Sequence, residues 1–316
     1  MSANQKKRGE NMLSVIIPAY NEEKMIQTTA DTVDRILSAA SVPYEIVFVN
    51  DGSKDGTWQQ IETAAEKNPH VNGLHFSRNF GKEAAMLAGL QHAEGDYCVI
   101  MDADLQHPPR LLPEMYEAVK DGEYDCCAGF RKDREGEGAL RSFLSKQFYK
   151  VIQKMSHMKM EDGAGDFRMM SRKMVEAVLE LKEYNRYMKG IFSYVGFETK
   201  WLPFENVERA AGKTKWSFKS LFKYAIDGIF SFSTTPVSIA AILGTILFVL
   251  SMVYGLCTGI STLVFGNKVS GYTTIVCLIL FLNGIQLLVM SILGEYIAKN
   301  YMESKGRPVY IIKEKE

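Results

Sequence analysis

The amino-acid sequence predicts an α/β domain built on a largely parallel sheet and followed by a two-helix membrane hairpin. Three observations carry this. Across residues 13–130, short apolar runs rich in β-branched side chains alternate with polar stretches of helical character, the pattern of strands joined by crossover helices. Residues 228–267 carry no charged side chain, a lone Lys268 follows, and residues 269–294 are again uncharged. Within that region the spans 237–257 and 273–293 are each about 21 residues, or about 31 Å as helix, enough to cross the hydrocarbon core of a bilayer.

Taken in order, residues 1–12 read as a polar tail. The apolar run that follows is too short for a signal-peptide core, so the N-terminal half is expected to stay on the side of synthesis. Strands are expected at 13–20 (LSVIIPAY), 44–50 (YEIVFVN), 71–77 (VNGLHFS), 96–104 (DYCVIMDAD) and 124–130 (YDCCAGF), each ending where polar residues begin. Helices are expected at 22–39, 57–67, 82–91 and 109–120, several opening on Asn, Asp or Pro start signals. In open α/β sheets ligands sit outside the carboxyl ends of the strands, so Tyr20, Asn50, Asp51, Arg78, Asp102, Asp104 and Arg131 should gather on one edge.

Segments 141–155 and 217–230 set lysines among large apolar residues, Lys146, Lys150 and Lys154 in the first, Lys219 and Lys223 in the second. Both read as basic interfacial helices; packing of an amphipathic face on the sheet explains the first equally well. The hairpin loop carries only Lys268, whereas Lys213, Lys215, Lys219 and Lys223 precede the spans and Lys299, Lys305, Arg307, Lys313 and Lys315 follow them. The positive-inside rule then places both termini in the cytoplasm. The chain is expected to divide into an α/β domain at 13–212, a juxtamembrane segment at 213–235, the membrane pair at 236–296 and a cytoplasmic tail at 297–316. Spans apolar on nearly every face do not suit a helical pair in a soluble core. Asn283 and Gln286 are the polar exceptions, expected to bond across to the partner helix.

Lys and Arg total 37, as do Asp and Glu, so no net positive charge points to a nucleic-acid partner. The five cysteines have neither zinc-ligand spacing nor a disulfide framework, which suits a reducing compartment. The chemistry concentrates in three stretches. In MDADLQHPP, Asp102 and Asp104 leave an apolar strand one residue apart, so alternation makes them neighbours on one face. Two carboxylates there repel unless a cation lies between them, and their hard oxygens suit Mg2+ or Mn2+ on a diphosphate. In VNDGSKDGT, Gly52 and Gly56 allow tight turns around Asp51, whose carboxylate can accept the imide N–H of a uracil. In IPAYNEE, Pro18, Tyr20 and Glu22 offer a shelf for base and ribose.

Together these stretches resemble the family 2 glycosyltransferases of the GT-A fold. SRNFGKEAAMLAGL, MDADLQHPP, GDFRMMSR, NRYMKGIFSYVGF and AAGKTKWSF ahead of a two-helix hairpin are similar to the bacterial polyisoprenyl-phosphate glycosyltransferases, bactoprenol glucosyltransferases among them, over residues 13–310. The resemblance implies that Pro18, Tyr20, Glu22 and Asp51 face the nucleotide, and that Asp102, Asp104 and Gln106 face metal, diphosphate and sugar. Arg131 would meet phosphate, while Lys82, Asp166, Arg168, Lys213 and Lys215 match stretches that approach donor sugar or acceptor phosphate. Asp102, Asp104 and Asp166 are the implied catalytic carboxylates. One departure is Asn50, which stands where many relatives carry a first Asp, leaving one charge fewer.

The implied reaction is an inverting transfer of a hexose from a nucleotide diphosphate sugar, UDP-linked, to undecaprenyl or another polyisoprenyl phosphate at the plasma membrane, with Mg2+ or Mn2+. Glucose is the first choice of sugar; N-acetylglucosamine and mannose are the alternatives. The product would be a lipid-linked sugar for the cell envelope, and a hairpin this short suggests a homo-oligomer. An acceptor phosphate is already anionic, so the site needs positioning and charge neutralisation rather than a strong base. Asp102 or Asp166 would stabilise charge developing on the sugar ring or bind its hydroxyls. His75, His92 and His107 read as structural or surface residues. A processive polysaccharide synthase fits less well, since there is no QxxRW segment and only two spans. A dolichol-type mannosyl transferase differs mainly in its sugar. An inactive membrane scaffold is disfavoured by the retention of Asp51, Asp102 and Asp104.

Overall fold

The computed structural model describes residues 11–131, 164–205, 235–265 and 271–316. The apolar runs form parallel strands β1 (Leu13–Ala19), β2 (Tyr44–Asn50), β3 (Val71–Phe76) and β4 (Tyr97–Ile100), which lie in the order β4-β1-β2-β3. Between them run α1 (Ile26–Ala39), α2 (Thr57–Lys67) and α3 (Lys82–His92), and α4 (Leu112–Lys120) follows β4 after a 3-10 turn. Helices cover both faces, which is why these strands are apolar nearly throughout rather than alternating. On β1, Leu13, Val15 and Ile17 share a buried cluster with Ile26, Val33 and Leu37 of α1 and Leu112 and Met115 of α4. Ile16 points the other way, onto Met86 and Leu90 of α3. That helix lies so close to β1 that a Cβ on Gly89 would stand 2.2 Å from Ile16 Cγ2.

The sheet continues beyond β4 through β6 (Ala164–Ser171), β5 (Cys126–Arg131) and β7 (Thr199–Phe204), giving the eight-strand order β7-β5-β6-β4-β1-β2-β3-β8. The fifth strand does not extend the parallel set directly. Antiparallel β6 inserts between β4 and β5, with Ile100 opposite Arg168. Its reversed direction starts β6 at the carboxyl end of β4, the edge where the site forms. Helices α5 (Arg172–Glu180) and α6 (Met188–Tyr194) pack beneath this half.

Strand β8 (Ile312–Lys315) runs antiparallel to β3 at the opposite edge, where the sequence suggested only a tail. Gly73 and Glu316 exchange both main-chain hydrogen bonds at 2.9 and 3.0 Å, and the Tyr310 ring stacks on Phe76 at 5.0 Å. The pairing satisfies backbone groups that β3 would otherwise leave open along an unprotected edge.

Helices α7 (Thr235–Phe265) and α8 (Tyr272–Ser304) contain the two expected spans and extend past them. At 31 and 33 residues they are about 46 and 50 Å long, more than a hydrocarbon core requires. Stretches Pro236–Tyr254 and Phe281–Ser304 are long and apolar enough to cross a membrane, and large apolar side chains such as Ile246, Leu250, Leu287 and Met290 are exposed. Asn283 does not reach across the hairpin; its amide donates to Ile279 O on its own helix at 2.8 Å. The two basic segments, 141–155 and 217–230, lie outside the described residues.

Candidate active site

The strand order reverses between β1 and β4, since β2 and β3 lie to one side of β1 and β4 to the other. In such sheets the crevice at the carboxyl ends of those two strands is the natural ligand site. β4 stops at Ile100, shorter than expected, so Asp102 and Asp104 sit in the turn that follows rather than on the pleat. That turn is held from several sides. Thr29 Oγ1 donates to Ala103 O at 2.8 Å, the Asp102 N–H donates to His107 Nδ1 at 3.1 Å, and the Gln106 N–H donates to Asp104 Oδ1 at 3.2 Å. Leu105 takes a left-handed backbone, φ 56°, a conformation that costs a non-glycine residue of order 1 kcal/mol and concentrates at functional sites.

Antiparallel β6 delivers Asp166 to the same place. Lys82, the first residue of α3, lies between the two acids, with Nζ 2.6 Å from Asp102 Oδ1 and 2.7 Å from Asp166 Oδ2. Burial alone would raise both carboxyl pKa values, yet the Lys82 ammonium outweighs it and holds both below the usual carboxylate range, with Lys189 contributing at Asp166 and His107 at Asp102. Burial also disfavours the ammonium, but the paired carboxylates outweigh it and keep Lys82 firmly protonated. Among the described residues, the buried Asp166 Oδ1 has no hydrogen-bond partner, an acceptor left over beside the Lys82 contact. Arg168, buried two residues on, lies over the Phe192 ring at 4.0 Å and donates to Gly165 O at 3.3 Å.

Asp51 follows β2 and is buried, 3 % exposed. Its carboxylate accepts from the Phe80 N–H at 2.6 Å, from the Gly81 N–H at 2.9 Å and from the Asn79 amide at 2.9 Å. It therefore fastens the backbone just ahead of Lys82. Burial raises its pKa to about 6, against the lowering effect of those N–H groups and of Arg78. Gly52 is required beside it, since its φ is +61° and a Cβ would stand 2.3 Å from the Arg78 carbonyl carbon. Pro18, Tyr20 and Glu22 are half-buried at the end of β1 and in the turn after it. That turn is tied to the loop after β2: the Asn21 N–H donates to Ser53 Oγ, the Lys54 N–H to Asn21 Oδ1, and the Glu22 N–H to Thr57 Oγ1, all at 2.9 Å. Helix α1 consequently begins at Ile26 rather than at residue 22.

Asp51, Lys82, Asp102, Asp104, Gln106, Asp166 and Arg168 thus come from four loops or strand ends linked through direct contacts. Arg131 closes β5, with Phe204 of β7 as its register partner; Lys213 and Lys215 lie outside the described residues. Two contributors escaped the sequence reading. His107 is buried, stacks on Phe167 at 5.0 Å, accepts the Asp102 N–H and stands with Nε2 3.8 Å from Asp102 Oδ2. Asn79 binds Asp51. The sequence reads His107 as structural or surface, and the structure gives it the first of these roles; its position within MDADLQHPP was the available signal for its contact with Asp102.

Among the described residues no group of three His, Cys, Asp or Glu side chains converges as a preformed metal cage. Asp102 and Asp104 nevertheless supply hard oxygens that fit a Mg2+ or Mn2+ ion completing its shell with diphosphate oxygens and water.

The glycosyl transferase family 2 model matches residues 14–179. A Bacillus subtilis (strain 168) protein named "Putative glycosyltransferase CsbB" is 44 % identical over 305 residues, covering 96 % of this chain and 92 % of that protein. The bactoprenol glucosyl transferase of Shigella phage SfV is 43 % identical over 301 residues, 95 % of this chain and 98 % of its own. The prophage bactoprenol glucosyl transferase homolog of Escherichia coli (strain K12) is 42 % identical over the same shares. Among solved structures, glucosyl-3-phosphoglycerate synthase from Mycobacterium tuberculosis in complex with Mn2+, UDP-glucose and phosphoglyceric acid aligns with a TM-score of 0.48 at 18 % identity, covering 70 % of this chain and 78 % of that one.

Proposed function

This chain belongs to glycosyl transferase family 2, and from that premise we propose that it moves glucose from UDP-glucose onto undecaprenyl phosphate, inverting the anomeric centre, at the cytoplasmic face of the membrane. Glycosyl transfer to a polyprenyl phosphate is the activity carried by its bactoprenol relatives. The observation that carries the reading is the juxtaposition of Asp102, Lys82 and Asp166 at the β1–β4 crevice, an arrangement suited to a diphosphate leaving group beside a sugar.

In this reading the nucleoside lies over Pro18, Tyr20 and Glu22, with Asp51 beneath. Asp102 and Asp104, with Gln106 beside them, would hold Mg2+ or Mn2+, whose contribution is to neutralise charge gathering on the departing diphosphate. Arg131, Arg168, Lys213 and Lys215 draw in the acceptor phosphate. Its oxygen is anionic near neutral pH and attacks the anomeric carbon as the bond to the β-phosphate oxygen breaks, so no side chain need remove a proton. The protein's contribution is alignment and fixed charge. Asp166, with one buried oxygen unpartnered among the described residues, would bind a sugar hydroxyl or offset positive charge on the ring.

Two apolar helices support an integral membrane protein with both termini cytoplasmic, where the water-soluble donor and the lipid acceptor meet. The test incubates purified protein with Mg2+, undecaprenyl phosphate and radiolabelled UDP-glucose, UDP-N-acetylglucosamine or GDP-mannose. Labelled lipid from UDP-glucose, with the β configuration by NMR, is expected. Labelled lipid only from another donor would move the assignment to that sugar, and none from any donor would overturn the reading.

A further inference from the structure

Lys82 is placed where a cofactor cation is expected to act. Its ammonium touches Asp102, a proposed ligand of the divalent ion, and Asp166 across the crevice, at 2.6 and 2.7 Å. We propose that Lys82 is a resident counter-cation that occupies the acidic site in the empty enzyme and competes with the divalent ion, so that the ion binds well only when a nucleoside diphosphate arrives with it and draws the ammonium away. The inference rests on the assignment of Asp102 and Asp104 to metal binding.

Three features support it. An ammonium at hydrogen-bond distance already neutralises Asp102, and a second cation beside it is opposed by like-charge repulsion in a half-buried site. The two DxD carboxylates fill only part of a six-oxygen shell, so the protein alone does not outbid its own lysine; diphosphate oxygens add ligands for the ion and a new partner for the lysine at once. The movement is confined to the side chain. Asp51 fixes the main-chain N–H groups of Phe80 and Gly81 directly ahead of Lys82, while the Lys82 side chain is 36 % exposed, leaving its four-carbon stem free to swing toward a bound diphosphate.

Mn2+ binding, followed by loss of the free-ion EPR signal, tests this on the purified full-length protein with and without UDP. Wild type should bind Mn2+ weakly alone and tightly with UDP. Lys82→Met should bind Mn2+ alone at least about tenfold more tightly than wild type, because a charge contacting a ligand oxygen has been removed, while its transferase activity falls. Lys82→Arg, which keeps the charge, should stay at the wild-type value. Should Lys82→Met be too unstable for titration, the same contrast is read as a rise in melting temperature on adding Mn2+ to the variant but not to wild type. UDP-dependent Mn2+ binding in both proteins with equal, weak binding of Mn2+ alone overturns the counter-cation role and leaves the metal assignment standing. Absence of Mn2+ binding in both proteins even with UDP overturns the metal assignment and this inference with it.

Discussion

Asp51 is a carboxylate with a structural task that its position in the sequence did not announce. Both oxygens already accept hydrogen bonds from the Asn79–Gly81 turn, so it sets the approach of Lys82 to the acids. Its pKa is about 6 through burial, against 3.8 ordinarily. Between those values the folded protein retains a proton that the unfolded chain has released, so stability falls as pH rises through that window, by at most about 3 kcal/mol from this group. Asp51→Asn removes the titration. Thermal melts of variant and wild type from pH 4 to pH 7 should show the variant gaining relative to wild type as pH increases; a constant difference would refute the assignment. Asp104 offers a second test. Its carboxylate is expected to hold the divalent ion, so Asp104→Asn should abolish lipid labelling while leaving membrane insertion intact, and wild-type rates for the variant at limiting metal would reject the ligand role. The acids were legible one by one from MDADLQHPP and VNDGSKDGT. What the sequence did not reveal was that Lys82 joins Asp102 to Asp166, because that contact depends on β6 running backward along β4.

The elements divide into those specified locally and those specified by partners. β2 and α2 have the bounds read from the sequence, because an apolar run meets a polar one sharply at each end. β4 ends early, at Ile100, because Met101 onward is bent into the turn that carries Asp102 and Asp104, held by His107 and Thr29. β6 was quoted as a motif but not read as a strand; its β character comes from lying between β4 and β5. β8 was less legible still, since IKEK has one apolar residue and its partner β3 lies more than two hundred positions away. The α3–β1 contact shows how tightly the locally legible part is specified. Gly89→Ala would put a methyl group 2.2 Å from Ile16 Cγ2, in a buried β-branched environment with little freedom to yield, and overpacking of this kind costs about 1–3 kcal/mol. Thermal or chemical denaturation should show that loss. The double variant Gly89→Ala with Ile16→Ala should lose less than the sum of the single losses, because shortening Ile16 makes the room the methyl needs; additive losses would show that the contact is not the cause.

At the scale of the whole molecule, the C-terminal segment joins the two long apolar helices to the sheet that carries the acids. Glu303, in the last turn of α8, accepts from the Tyr184 N–H at 2.8 Å, and a few residues on Glu83 accepts from the Met188 N–H at 2.8 Å, next to Lys82. Past α8, the chain returns to pair β8 with β3, and Tyr310 stacks on Phe76 while its hydroxyl reaches Gln91 on α3. The end of the second apolar helix is therefore held at two places on the domain that carries the acids. If the two apolar helices cross a membrane, a strand that pairs with β3 after them lies on the same side as the rest of the sheet. A reporter fused after Glu316 should accordingly be active in the cytoplasm and silent in the periplasm. The same geometry predicts that the C-terminal strand is a positioning element: a chain ending at Lys305 keeps both apolar helices and every proposed site residue but loses the clamp on β3 and α3. It should insert in the membrane and bind UDP as before, exchange amide hydrogens faster along β3, and transfer sugar to the lipid about tenfold more slowly, since a small misplacement of donor against acceptor is enough for that loss. Unchanged transfer alongside faster exchange would show that β8 protects an edge and does not align the site.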